Sequence, residues 1–468
     1  MQLTSSQFKY RAREFLADAT LQKALSKIKV KFIPARAEAA ADFGDFEALR
    51  EAGKQVRDRV LRDLDLWLER FERAATARGA IVHWAENAQQ ANDIVLGIAR
   101  ASGVRKIAKS KSMVSEECAL NEALERAGIE VVETDLGEYI LQLGKEPPSH
   151  IVAPVIHKTK EQIADLFTKH HGTPRKTDIA ALCREAREVL RPQFLSADMG
   201  ISGANFVVAE TGSTIILTNE GNGRLCTTMP RVHVAITGIE KVVPTLEDLS
   251  VLLRLLPRSA TGQTITNYVS LTTGARGEGD SDGPQEFHIV LLDNGRSALL
   301  ASERREMLRC IRCGACMNHC AVYQNIGGHA YGWVYPGPMG SVLTPSYVGI
   351  DNAVDLPHAC TLNGRCAEVC PVKIPLPDLL RTLRARQTEQ GLRPWVERLG
   401  LRMWSWVARQ PGLYALGTWF AVRYLRWLAG GTDRIPVLGA VPSWTDGRDF
   451  PAPEGKTFRE LYAKGRRP

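Results

Sequence analysis

The sequence predicts an α/β unit built on a mostly parallel sheet, followed by a smaller domain organised by cysteines. Two observations predict this. From about residue 67 to 295, short apolar runs alternate with amphipathic segments, the pattern of strands covered on both faces by helices. From about 300 to 385 the composition shifts to cysteine, glycine and proline, and seven of the ten cysteines fall there. At roughly 100–200 residues per domain, 468 residues make about two to four units. Hydrophobic residues at 44% and charged residues at 24% leave ample core. A formal net charge of +8 is too dilute over this length to argue for nucleic acid, which is not expected as a partner.

Residues 1–66 read as a helical arm, with Leu49, Val56, Val60, Leu61 and Leu64 at helical spacing. The arm is expected to cover a neighbour and to carry no chemistry. Met1 to Leu21 contains no apolar core with a cleavage site, and Glu14 and Asp18 oppose a transit peptide. The expectation is a cytoplasmic, reducing setting in which cysteines are thiols, ligands or nucleophiles.

The α/β unit spans 67–295. Strands are predicted at Ala80–His83, Lys106–Ala108, Ile129–Val132 and Val232–Thr237, and helices at Asn87–Ser102 and Glu116–Ala127, the second stopping at Gly128. Ala204–Ala209 and Ser213–Thr218 read as adjacent strands. Two constellations stand out. Lys109, Ser110, Lys111 and Ser112 follow a strand and precede Glu116 and Glu117; this is either helix capping or an anion site. Glu210, Thr211, Gly212 and Ser213, and then Asn219 and Glu220 within Asn219–Arg224, form two turns. They are either hairpin chemistry or loops rimming a pocket at the sheet's carboxyl edge. The candidate pocket set is Lys109, Lys111, Ser112, Glu116, Glu210, Thr211, Gly212, Ser213, Asn219 and Glu220. No catalytic residue and no dinucleotide-binding G-x-G-x-x-G is assigned. Cys118, Cys183 and Cys226 are isolated and expected to be buried.

The domain at 300–385 carries the strongest signal. Cys310, Cys313, Cys316 and Cys320 have the spacing C-x2-C-x2-C-x3-C of bacterial ferredoxins. A second, partial copy holds Cys360, Cys366 and Cys370 before Pro371, with Asn363 where a cysteine is expected. By the crossed rule of two-cluster ferredoxins, Cys310, Cys313, Cys316 and Cys370 hold one 4Fe-4S cluster, and Cys320, Cys360 and Cys366 the other. The second is either a 3Fe-4S centre or a 4Fe-4S centre whose last iron takes water, Asn363 or a partner's group; a labile or absent cluster, or Asn363 as an introduced change, is the third reading. Tetrahedral zinc suits paired C-x2-4-C motifs better than this triplet. His319, His329 and His358 are read as surface or capping residues. Arg309, Arg312 and Arg365 flank the ligands and are expected to raise the cluster potentials.

The tail, 390–468, mixes six tryptophans from Trp395 to Trp444 with arginine. Arg402, Arg409, Arg423 and Arg426 interrupt Leu401–Leu428, so no membrane span is predicted; a packed helix pair or a peripheral helix on the cytoplasmic face of a membrane both fit. Pro436–Pro468 reads as irregular.

These motifs resemble the lactate utilization protein B family along nearly the whole chain. The resemblance is carried by Lys109–Met113, Asn121, Glu133–Gly137, Tyr139, Pro148–Ile151, Ala209–Ser213, Thr218–Gly223, Cys310–Cys320, Gly327–Tyr331, Tyr335–Pro338 and Cys366–Lys373. It implies a lactate-utilisation domain similar to the ribose-phosphate isomerase and CoA-transferase group, followed by an α-helical ferredoxin-like two-cluster domain. It implies clusters on Cys310, Cys313, Cys316, Cys320, Cys366 and Cys370, with a cysteine normally where Asn363 stands and Cys360 as a compensating ligand. It implies partners, a second cysteine-rich redox subunit and another lactate-utilisation-domain protein, in oxidation of L-lactate to pyruvate. The leading reading is therefore an electron-transfer subunit. A small-acid enzyme acting through the α/β pocket and a structural adaptor are the alternatives.

Overall fold

A computed structural model describes residues 3–439, 442–445 and 447–465. Residues 1–386 form one compact unit and 387–468 a second.

The first unit is built on two sheets. Its strands are β1 (Ala80–Ala85), β2 (Lys106–Lys109), β3 (Glu130–Glu133), β4 (Met199–Gly203), β5 (Phe206–Val208), β6 (Ser213–Thr218), β7 (Val232–Gly238), β8 (Val242–Val243), β9 (Tyr268–Thr272) and β10 (Glu286–Leu292). Six of them form a sheet in the order β1-β10-β7-β4-β2-β3, parallel throughout. Alternation places Val290 and Leu292 of β10 against Ala91, Val95 and Ile98 of the helix Ala88–Ala101. Phe287, Ile289 and Leu291 face Leu68, Phe71 and Ala75 of the helix Leu64–Ala77 on the other side. A sheet covered on both faces needs such apolar strands, and β7 is buried from end to end.

The parallel sheet agrees with the pattern in the sequence; two local expectations need correction. The helix expected over Glu116–Ala127 is two helices, Met113–Glu117 and Leu120–Arg126, broken at Ala119 with φ +52°. The Cys118 carbonyl there accepts from Asn92 Nδ2 at 2.9 Å, and Glu117 turns inward to Arg296. The expected adjacent strands do pair, as the antiparallel hairpin β5–β6, within a second, mixed sheet ordered β8-β5-β6-β9. Cys118 and Cys226 are buried, whereas Cys183 is exposed. It neighbours Leu182, which lies on the buried face of the helix Ile179–Ser196, and one residue is about 100° of helical turn.

The N-terminal helices share one apolar core with the cysteine-rich segment, in which Phe8, Leu21, Leu25 and Ile28 pack with Met307, Tyr323, Tyr331 and Tyr335. The arm also does more than cover a neighbour. Arg36 donates to the Val369 carbonyl at 2.9 Å, and Arg50 to the Cys370 carbonyl at 3.1 and 2.9 Å. The fully buried Arg57 donates to the carbonyls of Val242 at 3.1 Å and Leu308 at 3.0 Å. Helical periodicity shows an apolar stripe; it does not show what a buried arginine will meet.

In the second unit the helices Trp395–Ala408 and Pro411–Leu428 bury none of their residues, and Trp395, Trp404, Trp406 and Trp427 are exposed. Among the described residues, no helix is long and apolar enough to cross a membrane. The stretch Pro436–Pro468 is not wholly irregular. Arg434–Ile435 pairs with Phe450–Pro451, and a capping box of Thr457 and Glu460 starts the helix Phe458–Ala463. Residues 440, 441, 446 and 466–468 of that stretch lie outside the described residues, as do residues 1 and 2 at the start.

Candidate metal centre and adjoining cavity

The two cysteine loops share one backbone conformation. Arg312 and Leu362, each two residues after a cysteine, have φ of +60° and +58°, and Gly314 and Gly364 follow at +78° and +84°. A left-handed residue other than glycine costs about 1 kcal/mol or more; here it turns amide groups toward sulfur. Arg312 N–H points at Cys310 Sγ at 3.4 Å and Leu362 N–H at Cys360 Sγ at 3.3 Å. Tyr323 N–H approaches Cys320 Sγ at 3.5 Å, and Ile374 N–H approaches Cys370 Sγ at 3.4 Å.

The thiols fall into two groups drawn from two distant stretches of chain. Cys310, Cys313, Cys316 and Cys370 rim one small cavity walled by Ile151, Ile311, Met339 and Val372. Cys320, Cys360 and Cys366 lie near one another instead. Burial, then Cys370 and Cys310, push the Cys313 thiol up to about 12. Burial, then Cys360 and Cys320, push Cys366 up to about 12. Crowded, dry thiols ionise when a metal supplies the opposing charge. The gathered thiols, inward amides and aliphatic wall suit an iron–sulfur cluster in their chemistry. The buried Tyr331 hydroxyl lies beside Cys320.

Asn363 occupies in its loop the place of Cys313 in the first. It is exposed, and its Oδ1 accepts from Arg365 N–H at 3.1 Å. The flanking arginines are all paired: Arg309 with Asp58 at 2.5 Å and Glu306 at 2.9 Å, Arg312 with Glu240 at 3.4 Å, and Arg365 with Glu368. Their positive field at the thiols is weaker than their number suggests. His319 and His329 are bonded to carbonyls, of Ala315 at 2.9 Å and Pro147 at 2.8 Å. His150, unremarked as a site residue in the sequence, lies against the first loop. Its Nε2–H donates to Asn318 Oδ1 at 3.0 Å, and burial pushes it down to about 4.

A cavity of about 370 Å³ adjoins the first loop at the carboxyl ends of β2, β4 and β7, and Lys111, Ser112, Asn219 and Glu220 of the candidate set line it. Lys109 is buried elsewhere, 2.5 Å from Glu133 and 3.2 Å from Glu116. Burial opposes its charge, but Glu133 and Glu116 more than offset that and hold it above the usual lysine range. Lys109 and Glu116 are thus an internal ion pair, not an open anion site. Ser112 lines the cavity and also caps Ser115 N–H at 3.2 Å. The turn Glu210–Ser213 is not at the cavity. Glu210 accepts from Leu246 N–H at 2.9 Å, Thr211 and Ser213 bond to each other at 2.7 Å, and Gly212 (φ +70°) abuts the backbone of Ala74 and Ala75. For these four residues turn chemistry is the better description.

Lys241, Arg312, Asp135 and Tyr335 line the cavity and were not singled out for it. The position of Lys241 just past the carboxyl end of a strand was the available signal. Burial, then Arg312, push the Lys241 ammonium down to about 7. Burial, then Asp135, push Glu220 up to about 7.

Comparison with known proteins matches residues 68–292 to a LUD domain, 306–374 to a 4Fe-4S dicluster domain, and 383–466 to a lactate utilisation protein B C-terminal domain. The chain is 42% identical to the uncharacterized electron transport protein YkgF of Escherichia coli, over 98% of this chain and 97% of that one. It is 43% identical to lactate utilization protein B of Bacillus cytotoxicus, over 99% and 98% of the two chains. It is also 43% identical to that of Lysinibacillus sphaericus, over 98% and 97%. A crystal structure of a duf162 family protein from Deinococcus radiodurans aligns over 49% of this chain and 98% of its own, at 14% identity and a TM-score of 0.29.

Proposed function

This chain belongs to the lactate utilization protein B family, and we propose that it is the iron–sulfur electron-transfer subunit of a multi-protein system oxidising L-lactate to pyruvate. The observation that supports this most is the gathering of seven thiols into two groups, with amide N–H groups aimed at sulfur in both.

In this reading Cys310, Cys313, Cys316 and Cys370 hold a 4Fe-4S cluster. Cys320, Cys360 and Cys366 hold the second, which is 4Fe-4S or 3Fe-4S according to what stands in for a thiolate at Asn363. Bound clusters supply one-electron steps. The chain's residues set the conditions for those steps. Amide groups of Arg312 and Leu362 stabilise negative sulfur, Ile151, Met339 and Val372 keep water out, and the paired arginines trim the local charge.

The finer organisation follows the same reading: a helical arm at 1–66, a lactate-utilisation domain at 67–295 akin to the ribose-phosphate isomerase and CoA-transferase group, an α-helical ferredoxin-like domain at 300–385, and an extension at 390–468. The exposed aromatic side chains of that extension suit docking to a second cysteine-rich subunit, to another lactate-utilisation-domain protein, or to the cytoplasmic surface of a membrane.

The test is electron paramagnetic resonance on anaerobically purified protein, oxidised and reduced, with iron and acid-labile sulfide assayed in parallel. Signals from two clusters are expected, the oxidised spectrum separating a three-iron from a four-iron second centre. Zinc, or negligible iron and sulfide, would refute the reading.

A further inference from the structure

We propose that the cavity at the carboxyl ends of β2, β4 and β7 binds a small hydroxy- or keto-monocarboxylate beside the first cysteine loop, with Lys241, Lys111 and Arg312 as its cationic wall. The inference rests on the electron-transfer reading only for its choice of probes and for the redox coupling described below.

Lys241 carries the argument. It is 5% exposed and lines the cavity, and among the described residues its ammonium has no hydrogen-bond or ion-pair partner. Its neighbour Glu240 makes no direct ion pair with it, that carboxylate being engaged by Arg296 at 2.6 Å and Arg312 at 3.4 Å. A buried cation without a directly paired counter-ion is unfavourable, and an arriving carboxylate relieves it. Lys111 adds a second incompletely satisfied cation. Its Nζ is buried without a hydrogen bond and stands 3.3 Å from Glu138. Arg312 is held in place, its guanidinium 4.5 Å from the centre of the Tyr335 ring, and presents a fixed donor to the cavity.

The rest of the lining says what kind of acid fits. Asp135 and Glu220 bring acidic side chains to the same cavity, which disfavours a dianion. Ser112 and Asn205 offer a hydroxyl and an amide to a second oxygen function. About 370 Å³ holds a small acid with water to spare. One carboxylate and one hydroxyl or keto oxygen match this lining.

The position also couples binding to redox state. Arg312 lies between Cys310 and Cys313 in the chain and lines the cavity as well. Negative charge placed there disfavours adding an electron to a cluster on those thiols. By reciprocity the acid then binds the oxidised protein more tightly than the reduced one.

The experiment is calorimetric titration of anaerobically purified full-length protein with L-lactate, D-lactate, pyruvate and inorganic phosphate, alongside redox titration with and without saturating pyruvate. Saturable binding of L-lactate or pyruvate is expected, weakened roughly tenfold or more in Lys241→Met and largely kept in Lys241→Arg. A lower midpoint potential with pyruvate bound is expected in the unmutated protein, a readout that needs no variant. Iron-loaded protein that binds neither acid, Lys241→Met that binds as before, or phosphate bound more tightly than either acid would overturn the proposal. Protein without iron that still binds L-lactate through Lys241 would sink the electron-transfer reading and leave the cavity assignment standing.

Discussion

Arg296 Nε donates to Glu240 Oε2 at 2.6 Å with both side chains buried, and this pair joins the parallel sheet to the first cysteine loop. Arg296 also holds Glu117 through two bonds, of 2.9 and 3.0 Å, and Tyr335 donates to the same carboxylate at 2.7 Å. The second oxygen of Glu240 faces Arg312. Burial would raise the Glu240 carboxyl, but Arg296 and then Arg312 hold it down at about 2.

Breaking one partner of a buried ion pair leaves the other charge uncompensated. Arg296→Met should destabilise the protein by about 3–5 kcal/mol, read from denaturant unfolding followed by circular dichroism. A loss under about 1 kcal/mol would mean that water or rearrangement compensates Glu117 and Glu240.

Gly238 makes room for this pair. A Cβ there would stand 2.0 Å from Glu240 Oε2 and 2.3 Å from Arg296 Nε. Gly238→Ala is therefore expected to cost about 1–3 kcal/mol, although its φ of −77° suits any residue. Unchanged thermal stability would show that the pair can move aside.

Asn363→Cys restores the missing sulfur in a loop whose backbone already matches the first. If the second centre has three irons, the variant should gain a fourth, seen as loss of the oxidised three-iron resonance signal. Cys370→Ala should instead deplete the first cluster and lower iron and sulfide content by about half. Full iron retention in Cys370→Ala would contradict the crossed assignment.

Arg312→Gln removes a cation beside Cys310 and should lower the potential of the first cluster in a redox titration. Its existing pairing with Glu240 makes the expected shift modest. A rise, or no change, would count against a charge effect.

Glu220 gives a pH signature. Its folded pKa, about 7, lies above the ordinary carboxyl value, so the folded state binds more protons between those two values. Stability should fall as pH rises through that window, by on the order of 1–3 kcal/mol in all. Glu220→Gln should flatten this part of the stability profile and stabilise the protein at pH 8; an unchanged profile would place the titration elsewhere.

Local patterns in the chain were enough for several features. Alternating apolar runs identified the parallel sheet, because strands buried on both faces have few other compositions. Cysteine spacing pointed to both metal loops, because a short loop around a cluster constrains sequence directly. The break at Ala119 and the separate β8-β5-β6-β9 sheet were not legible, since both depend on partners far along the chain. The same holds for the cavity. Lys109 and Lys111 look alike in sequence, yet Glu133 neutralises one and the other reaches the cavity.

The sequence by itself determined the class of the molecule and the spacing of its two cysteine motifs, because spacing and periodicity are properties of neighbouring residues. Only the tertiary structure decided which charges are paired and which are left facing a cavity. Lys241, Glu240 and Arg312 come from two segments about 70 residues apart, and an ion pair's strength depends on distance and burial, which folding alone assigns.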